Sequence, residues 1–203
     1  MQHEFEPLPH RDRKIDKIVI HEGFNKRQMF NDYAVLILDF PVELDDHIDT
    51  VCLPGPRTNF VGRRCHVSGW GKSQLEEGRH QAALRKIELQ MVERARCQDK
   101  LMEAEFCPSF VLHPSFLCAG GELAKGVCKG DGGSPLVCLD PLTNHYVQAG
   151  IVSWGIGCGE RNVPGVYADV AKASDWIEEV LSTHLACLQP DWSNEVPGPV
   201  IIY

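Results

Sequence analysis

Nine cysteines spread singly through 203 residues constrain this chain more than any other feature. None lies in a Cys-x-x-Cys pair, so the spacing of zinc ribbons and of thioredoxin-like redox motifs is absent. Isolated cysteines in this number are typical of disulfides formed in an oxidising compartment, and buried free thiols of a cytosolic protein are the less favoured alternative. Because the number is odd, at least one thiol has no partner within the chain. The cysteines are Cys52, Cys65, Cys97, Cys107, Cys118, Cys128, Cys138, Cys158 and Cys187.

The net charge of −8 argues against nucleic acid or an anionic membrane surface as the main partner, because both require a basic face. No apolar run reaches the length of a membrane span, so we expect no membrane partner. The first six residues are acidic and lack the apolar core of a signal peptide. Disulfides without such a leader predict a secreted, extracellular protein whose signal peptide lies outside this sequence.

The hydrophobic pattern predicts an all-β fold built from short strands. Ile87, Leu89 and Met91 alternate strictly with polar residues, as on a strand that buries one face. Residues 34–38 form an uninterrupted apolar run, which suits a strand buried on both faces. Strands and turns at this spacing favour a barrel or a sandwich over alternating βα units. Further strands are expected around 18–24 and at 67–70, 136–139, 146–154 and 165–170.

Two segments have a helical pattern, 93–105 and 174–185. In the second segment apolar side chains recur on one face, and Ser174 is the candidate N-cap. From residue 186 onward, prolines and a glycine interrupt any regular pattern. Residues 186–203 are therefore predicted to be a tail, tied down if Cys187 is bonded.

One stretch indicates which family the chain resembles. Residues 128–138 read Cys-Lys-Gly-Asp-Gly-Gly-Ser-Pro-Leu-Val-Cys, which resembles the Gly-Asp-Ser-Gly-Gly-Pro-Leu signature of the chymotrypsin/trypsin family of serine proteases. Other segments follow in the order of that family, so the resemblance covers about residues 15–181. These segments are Asn-Asp-Tyr-Ala at 31–34, Gly-Trp-Gly at 69–71, Ser-Trp-Gly at 153–155 and Pro-Gly-Val-Tyr at 164–167.

The resemblance implies an all-β, trypsin-like fold of two six-stranded antiparallel β-barrels with a C-terminal helix. Because it begins partway through the family's pattern, the first barrel is expected to be incomplete, with open strand edges and exposed apolar surface. The expected units are a partial first barrel at 1–63, a second barrel with the C-terminal helix at 64–185, and a tail at 186–203.

The catalytic residues of the resembled family are not all present. The resemblance assigns Asp32 to the triad aspartate, here vestigial, and Gly132 to the place of the nucleophilic serine. Ser134 lies two residues further on, roughly 6 Å along an extended chain, whereas a nucleophile must lie about 3 Å from the atom it attacks. No Ala-Ala-His-Cys segment precedes Asp32, so the general base is missing as well. The N–H groups of Gly130 and Gly132 would remain as the remnant of an oxyanion hole.

The specificity pocket implied by the resemblance lacks the aspartate of trypsin, because Gly126 stands at that position. Lys129 beside the site either projects into the cleft or, as we favour, is solvated on its rim. Asp131 corresponds to the carboxylate that binds a new N-terminal amine in active relatives. A buried carboxylate needs a partner, so either that amine comes from sequence upstream or other groups satisfy it. The other implied pocket residues are Ser153, Trp154, Gly155 and Gly165.

Three disulfides are implied by the resemblance, and the spacing alone would not choose among the possible pairings. The implied pairs are Cys65–Cys138, Cys97–Cys118 and Cys128–Cys158. Cys52 resembles the cysteine that ties the protease domain to an upstream segment. Cys107 and Cys187 are extra, and are expected to pair with each other, to pair with residues outside this sequence, or to stay unpaired.

Within the family, Gly-Gly-Ser in place of Ser-Gly-Gly at 132–134 resembles the clip-domain serine protease homologues of insects. That subgroup is non-catalytic and assists proteolytic cascades such as prophenoloxidase activation. The resemblance implies an inactive homologue that binds other proteins of an extracellular protease cascade, with no cofactor and no metal. Two alternatives stay open: an active serine endopeptidase with relocated chemistry, and a fragment without a function of its own.

Overall fold

Short strands dominate the fold, as the hydrophobic pattern predicts. The computed structural model describes residues 8–72, 80–104, 109–187 and 200–202. The strands are β1 (Ile15–Ile20), β2 (Ala34–Leu38), β3 (Arg64–Gly69), β4 (Arg85–Val92), β5 (Phe116–Gly120), β6 (Pro135–Leu139), β7 (Tyr146–Trp154), β8 (Pro164–Asp169) and β9 (Val200–Ile202). The helices are α1 (Arg94–Ala104) and α2 (Val170–Cys187). The prediction of a mostly β fold with a C-terminal helix is confirmed.

Six strands close into an antiparallel barrel in the order β3-β4-β5-β8-β7-β6. Alternate side chains point inwards, and those of Leu89 and Met91 on β4 are buried. Cys65 on β3 and Cys138 on β6 are paired in register and joined by a disulfide. The ends of β3 and β7 and the starts of β6 and β8 meet at one end of this barrel. The segments that follow or precede them are therefore held close together.

The two strands before the barrel and the C-terminal strand β9 form an open sheet in the order β1-β2-β9. Val35 and Ile37 on the central strand β2 are buried. On the edge strand β1, in contrast, Ile15, Ile18 and Ile20 are 48%, 56% and 60% exposed. The expected incomplete first barrel, with an open edge and exposed apolar surface, is confirmed by this sheet.

The C-terminal segment differs from the predicted tail. Helix α2 continues to Cys187, and residues 200–202 pair with β2 as the antiparallel strand β9. Three consecutive β-branched residues, Val-Ile-Ile, favour a strand even after a run rich in proline. The sequence pattern missed this strand because its partner lies more than 160 residues earlier in the chain.

Tyr33 joins the open sheet to the barrel. Its hydroxyl lies 2.9 Å from the carbonyl oxygen of Asp169 and 3.0 Å from that of Ser115, so it can donate to either. Burial is the main cause that raises the pKa of Tyr33, which keeps the hydroxyl protonated as a donor. The aromatic ring packs in a core with Ile151 and Ile177.

Helix α2 begins earlier than predicted, at Val170 rather than at residue 174. The Asp169 carboxylate accepts a hydrogen bond from the N–H of Ala171 at 3.1 Å and is the N-cap. The prediction of Ser174 as the cap is wrong, because its hydroxyl lies inside the helix and donates to the carbonyl oxygen of Ala171. The sequence pattern misses the start of the helix because its first turn contains alanines, whose small side chains add little to the amphipathic pattern.

The N-cap carboxylate has an unusual pKa. Burial raises the pKa of Asp169 from 3.8 to about 6, although Lys172 and the N–H of Ala171 oppose the shift. A carboxyl group whose pKa is raised on folding binds its proton more tightly in the folded state. Its contribution therefore favours the folded state at low pH, and is lost as the pH rises from about 4 to about 6.

Asp169→Asn should remove this dependence while keeping a side-chain oxygen for the cap. The free energy of unfolding of the wild type, minus that of the variant, should fall by on the order of 2–3 kcal/mol across this pH range. Urea unfolding of both proteins with intact disulfides measures the difference. A difference that stays constant or rises with pH would contradict the assignment.

Candidate active-site cleft

The turn before β6 carries the motif that the sequence singles out. Two backbone bonds shape it: Asp131 N–H donates to the carbonyl of Cys128, and Ser134 N–H donates to the carbonyl of Asp131. Gly130 and Gly133 have φ values of +99° and +85°, which side chains disfavour. Gly133 N–H also donates to the carbonyl of Val152 on β7 at 2.9 Å. The glycine-rich sequence therefore produces a tight turn fixed to the barrel.

The Asp131 carboxylate is bound by backbone amides. One oxygen accepts the N–H of Gly71 at 2.8 Å, and the other accepts the N–H of Cys128 at 2.9 Å. A Cβ atom on Gly69 or Gly71 would overlap this carboxylate, so both positions require glycine. Within this chain, these backbone amides satisfy the Asp131 carboxylate.

Gly132 and Ser134 lie in opposite environments. Gly132 is exposed, and a Cβ atom built on it would have no neighbouring atom within 4 Å. The Ser134 hydroxyl lies 3.2 Å from the point where a Cβ of Gly69 would stand, on the side of the turn that holds the Asp131 carboxylate. Gly132, at the open position, therefore has no side chain, and the Ser134 hydroxyl lies on the inner side of the turn, where the Asp131 carboxylate is bound.

Asp32 lies next to this turn. Its carboxylate accepts a hydrogen bond from the Ser153 hydroxyl at 2.6 Å. A cavity of about 220 Å³ separates Asp32 from Gly133 and is otherwise lined by apolar side chains and glycine backbone. Among the described residues, no histidine forms an ion pair with Asp32 within 4 Å. The other lining residues are Ile20, Phe24, Tyr33, Ala34, Ile151 and Val152.

His80 is a site residue that the sequence did not indicate. Its Nδ1 atom lies 3.3 Å from the carbonyl oxygen of Trp70, to which it can donate. The same ring covers the α-carbon of Gly130, because a Cβ there would lie 2.9 Å from Nδ1. No local motif marks His80, since the contact joins segments that are 50 residues apart.

The predicted pocket residues lie on two segments that a disulfide joins. Cys128–Cys158 links the segment before β6 to the loop between β7 and β8. Gly126 packs against Gly159, because a Cβ atom built on Gly126 would lie 2.8 Å from the α-carbon of Gly159. Gly155 and Gly165 face each other across β7 and β8, with 3.9 Å between a Cβ on the first and the α-carbon of the second.

Two further predicted pocket residues, Trp154 and Lys129, lie at the borders of this region. The indole of Trp154 packs edge-on against Phe116, with 5.7 Å between ring centroids. Lys129 accepts the N–H of Lys72 at its carbonyl oxygen, and its side chain is exposed. This exposure matches the favoured expectation of a lysine on the rim.

A second cavity, of about 270 Å³, lies on the inner side of Asp131. Its lining includes Gly69, Gly71, Lys72 and Arg85, but not the predicted pocket residues Ser153, Trp154, Gly155 and Gly165. Within the described ranges, no group of three His, Cys, Asp or Glu side chains could hold a metal ion. In the same ranges, no helix is long and apolar enough to cross a membrane.

The structure contains the three disulfides that the resemblance implies, Cys65–Cys138, Cys97–Cys118 and Cys128–Cys158. Cys52 is free and exposed. Cys107 lies outside the described residues, and so does the side chain of Cys187, although its backbone ends α2. The pairing of these last two cysteines stays a prediction.

Comparison with known proteins agrees with this geometry. The family model described as Trypsin matches residues 3–177. The chain belongs to the trypsin family. The match includes the barrel, the strands β1 and β2 of the open sheet, and the start of α2.

Similar proteins of this family come from insects. The chain is 48% identical over 178 residues to "Phenoloxidase-activating factor 2" of Galleria mellonella, with 86% of the chain and 58% of that protein covered. It is 44% identical over 174 residues to "Inactive CLIP domain-containing serine protease A28" of Anopheles gambiae, covering 86% and 45%. It is 43% identical over 180 residues to "Inactive CLIP domain-containing serine protease A3" of Aedes aegypti, covering 87% and 37%. The chain thus spans less than two thirds of each of these relatives.

Gly71→Ala tests whether Asp131 holds the turn in place. The new methyl group would overlap the carboxylate, and overpacking of this kind lowers the free energy of unfolding by about 1–3 kcal/mol. Gly55→Ala is the matched control, because its Cβ would make an ordinary contact at 3.8 Å with Thr58. Urea unfolding should show a large loss for the first variant and little change for the second. Equal stabilities would contradict the role of Asp131.

Proposed function

We propose that this chain is a catalytically inactive homologue of the trypsin family that acts by binding other proteins of an extracellular proteolytic cascade. The observation that carries the proposal is the bare, open position of Gly132 on the turn that faces Asp32 across the cavity. Acyl transfer by a serine protease needs a hydroxyl at such a position and an imidazole that takes its proton. Gly132 supplies no hydroxyl.

The remaining hydroxyl on the turn does not replace the missing one. Ser134 lies on the inner side beside Gly69 and Asp131, and its backbone is held by bonds to Asp131 and Val152. To reach the open side, the turn would have to break these bonds. Asp32 meanwhile binds the hydroxyl of Ser153 and, in the described part of the chain, has no imidazole to orient. In the described part of the chain, the cleft therefore lacks both a nucleophile and a base.

The names of the relatives support the binding role, and the disulfides support the extracellular location. Two relatives carry the word "Inactive" in their names, and another is named a phenoloxidase-activating factor. A protein without its nucleophile can serve such a cascade only through contacts with other proteins. The three disulfides of the barrel support an extracellular location, because such bonds persist in oxidising compartments.

A fluorophosphonate probe, which reacts with activated serine hydroxyls, tests the loss of catalysis. The chain should remain unlabelled under conditions that label bovine trypsin completely. The variant Gly132→Ser should fold normally, because the serine side chain would enter open space. Mass spectrometry of the intact protein measures the label. Labelling of the wild type that disappears in Ser134→Ala would show relocated chemistry and overturn the proposal.

The cascade role is tested by reconstitution. Purified prophenoloxidase is mixed with an active clip-domain protease, with or without the 203-residue chain. The chain should raise the phenoloxidase activity several-fold without cleaving any component itself. Trypsin blocked by a covalent inhibitor is the control, since it has the same fold but another surface. No difference between the chain and blocked trypsin would contradict the binding role.

A further inference from the structure

The central strand of the open sheet is only partly covered on one side. Strand β2 pairs with β1 along its whole length, from Ala34 to Leu38. On its other side it pairs with β9 at three residues, Val35, Leu36 and Ile37. Ala34 and Leu38 have no partner in the described strand β9. This side of residues 34–38, the β2 edge, therefore offers more backbone than β9 uses.

Both faces of the sheet are apolar at the β2 edge. Val35 and Ile37 point to one face and are buried. Leu36 points to the other face, where it is paired with the exposed Ile18 of β1. A strand that is added at the β2 edge therefore meets apolar side chains on both of its own faces. An uninterrupted apolar run is the sequence pattern of such a strand.

The free edge of β1 is less suited to receive a strand. Asp16 and Lys17 on β1 are exposed, and charged residues oppose the addition of a strand at an edge. A register shift between Ile15 and Lys17 also interrupts the regular pairing of β1. The β2 edge, Ala-Val-Leu-Ile-Leu, contains no charged residue and no proline. Of the two strands, β2 therefore has the edge that accepts a further strand.

The strand that occupies the β2 edge indicates what this edge accepts. Strand β9 has the sequence Val-Ile-Ile and runs antiparallel to β2, with Ile201 in register with Leu36. The pairing is a main-chain ladder, which another extended segment rich in β-branched residues can also form. Because β9 makes three residue pairs and β1 makes five, a longer segment gains pairs that β9 does not make.

We propose that the β2 edge is a strand-addition site for an extended apolar segment of a partner protein, and that this segment replaces β9. The partner segment runs antiparallel to β2 and has five or more consecutive uncharged, apolar residues. The inference rests on the proposed function and deepens it, because it names the kind of segment that an inactive homologue binds. Strand β9 then acts as a resident strand that closes the edge until a partner is present.

Fluorescence anisotropy with three labelled peptides and the 203-residue chain tests the proposal. The first peptide is acetyl-Lys-Val-Ile-Val-Ile-Val-Lys amide, with fluorescein on the last lysine. The second has proline in place of the central valine, and the third has serine in place of both isoleucines. Proline cannot donate to the ladder, so the second peptide should bind about tenfold or more weakly than the first. The third should also bind more weakly, because the β2 edge is apolar on both faces.

A variant of β9 tests whether this strand competes with the partner. Ile201→Pro removes an N–H group from β9 and should release it from β2. The apparent affinity of a site falls with the fraction of molecules in which it is closed, so the variant should bind the first peptide about tenfold more tightly than the wild type. An unchanged affinity would contradict the role of β9 as a resident strand.

A variant of β2 tests where the peptide binds. Leu36→Lys places a charge on the open face of the sheet and should abolish binding of the first peptide, while thermal unfolding shows whether the protein is folded. Leu142→Lys is the matched control, because Leu142 is 92% exposed and lies between β6 and β7 on the barrel. Equal loss of binding in both variants would indicate a general effect of charge and overturn the site.

Hydrogen exchange measured by mass spectrometry locates the peptide without any substitution. When the first peptide binds to the wild type, the amides of residues 200–202 should exchange faster, whereas those of residues 34–38 should stay protected. This measurement does not depend on whether Leu36→Lys folds. Binding that leaves the exchange of residues 200–202 unchanged would overturn the proposed replacement of β9.

The remaining outcomes separate this inference from the proposed function. Equal binding of the first and second peptides, or no binding of the first peptide to the wild type and to Ile201→Pro, would overturn the strand-addition site. A wild-type dimer that becomes a monomer in Ile201→Pro would show that the edge serves a second copy of the chain, and would also overturn it. None of these results bears on fluorophosphonate labelling, which tests the loss of catalysis.

Discussion

The hydrogen bonds between the Asp131 carboxylate and the N–H groups of Gly71 and Cys128 determine the shape of the cleft. They bring the turn before β6 against the segment that follows β3, and both segments need glycines to come so close. With the carboxylate held inside, Ser134 is drawn to the inner side and Gly132 remains outside. The exposure of Gly132 and the inward position of Ser134 both follow from this one buried interaction.

Much of the fold follows from patterns that the sequence shows directly. The alternation at Ile87, Leu89 and Met91 predicts β4, and the apolar run at 34–38 predicts β2. The order of short motifs predicts the barrel, and it predicts the incomplete first half as well. Such features depend on side chains that are close in sequence or on an order that a whole family shares, so they can be read without coordinates.

Other features depend on contacts between distant segments and could not be predicted. The sequence pattern indicates Ser174 as the cap of α2 because the alanines of the first turn hide the start of the helix, whereas Asp169 is the cap. The contact of His80 with Gly130 joins two loops that have no common motif. The amide partners of Asp131 also needed the fold, since the sequence shows only that a carboxylate there must be satisfied.

The bond between Asp32 and Ser153 has a consequence for how such proteins evolve. Together with the neighbouring hydroxyl of Tyr33, it fastens the open sheet to the barrel. Under the proposed function, selection on folding alone is enough to retain Asp32. The presence of Asp32 in the sequence is therefore evidence about the fold and not about catalytic activity.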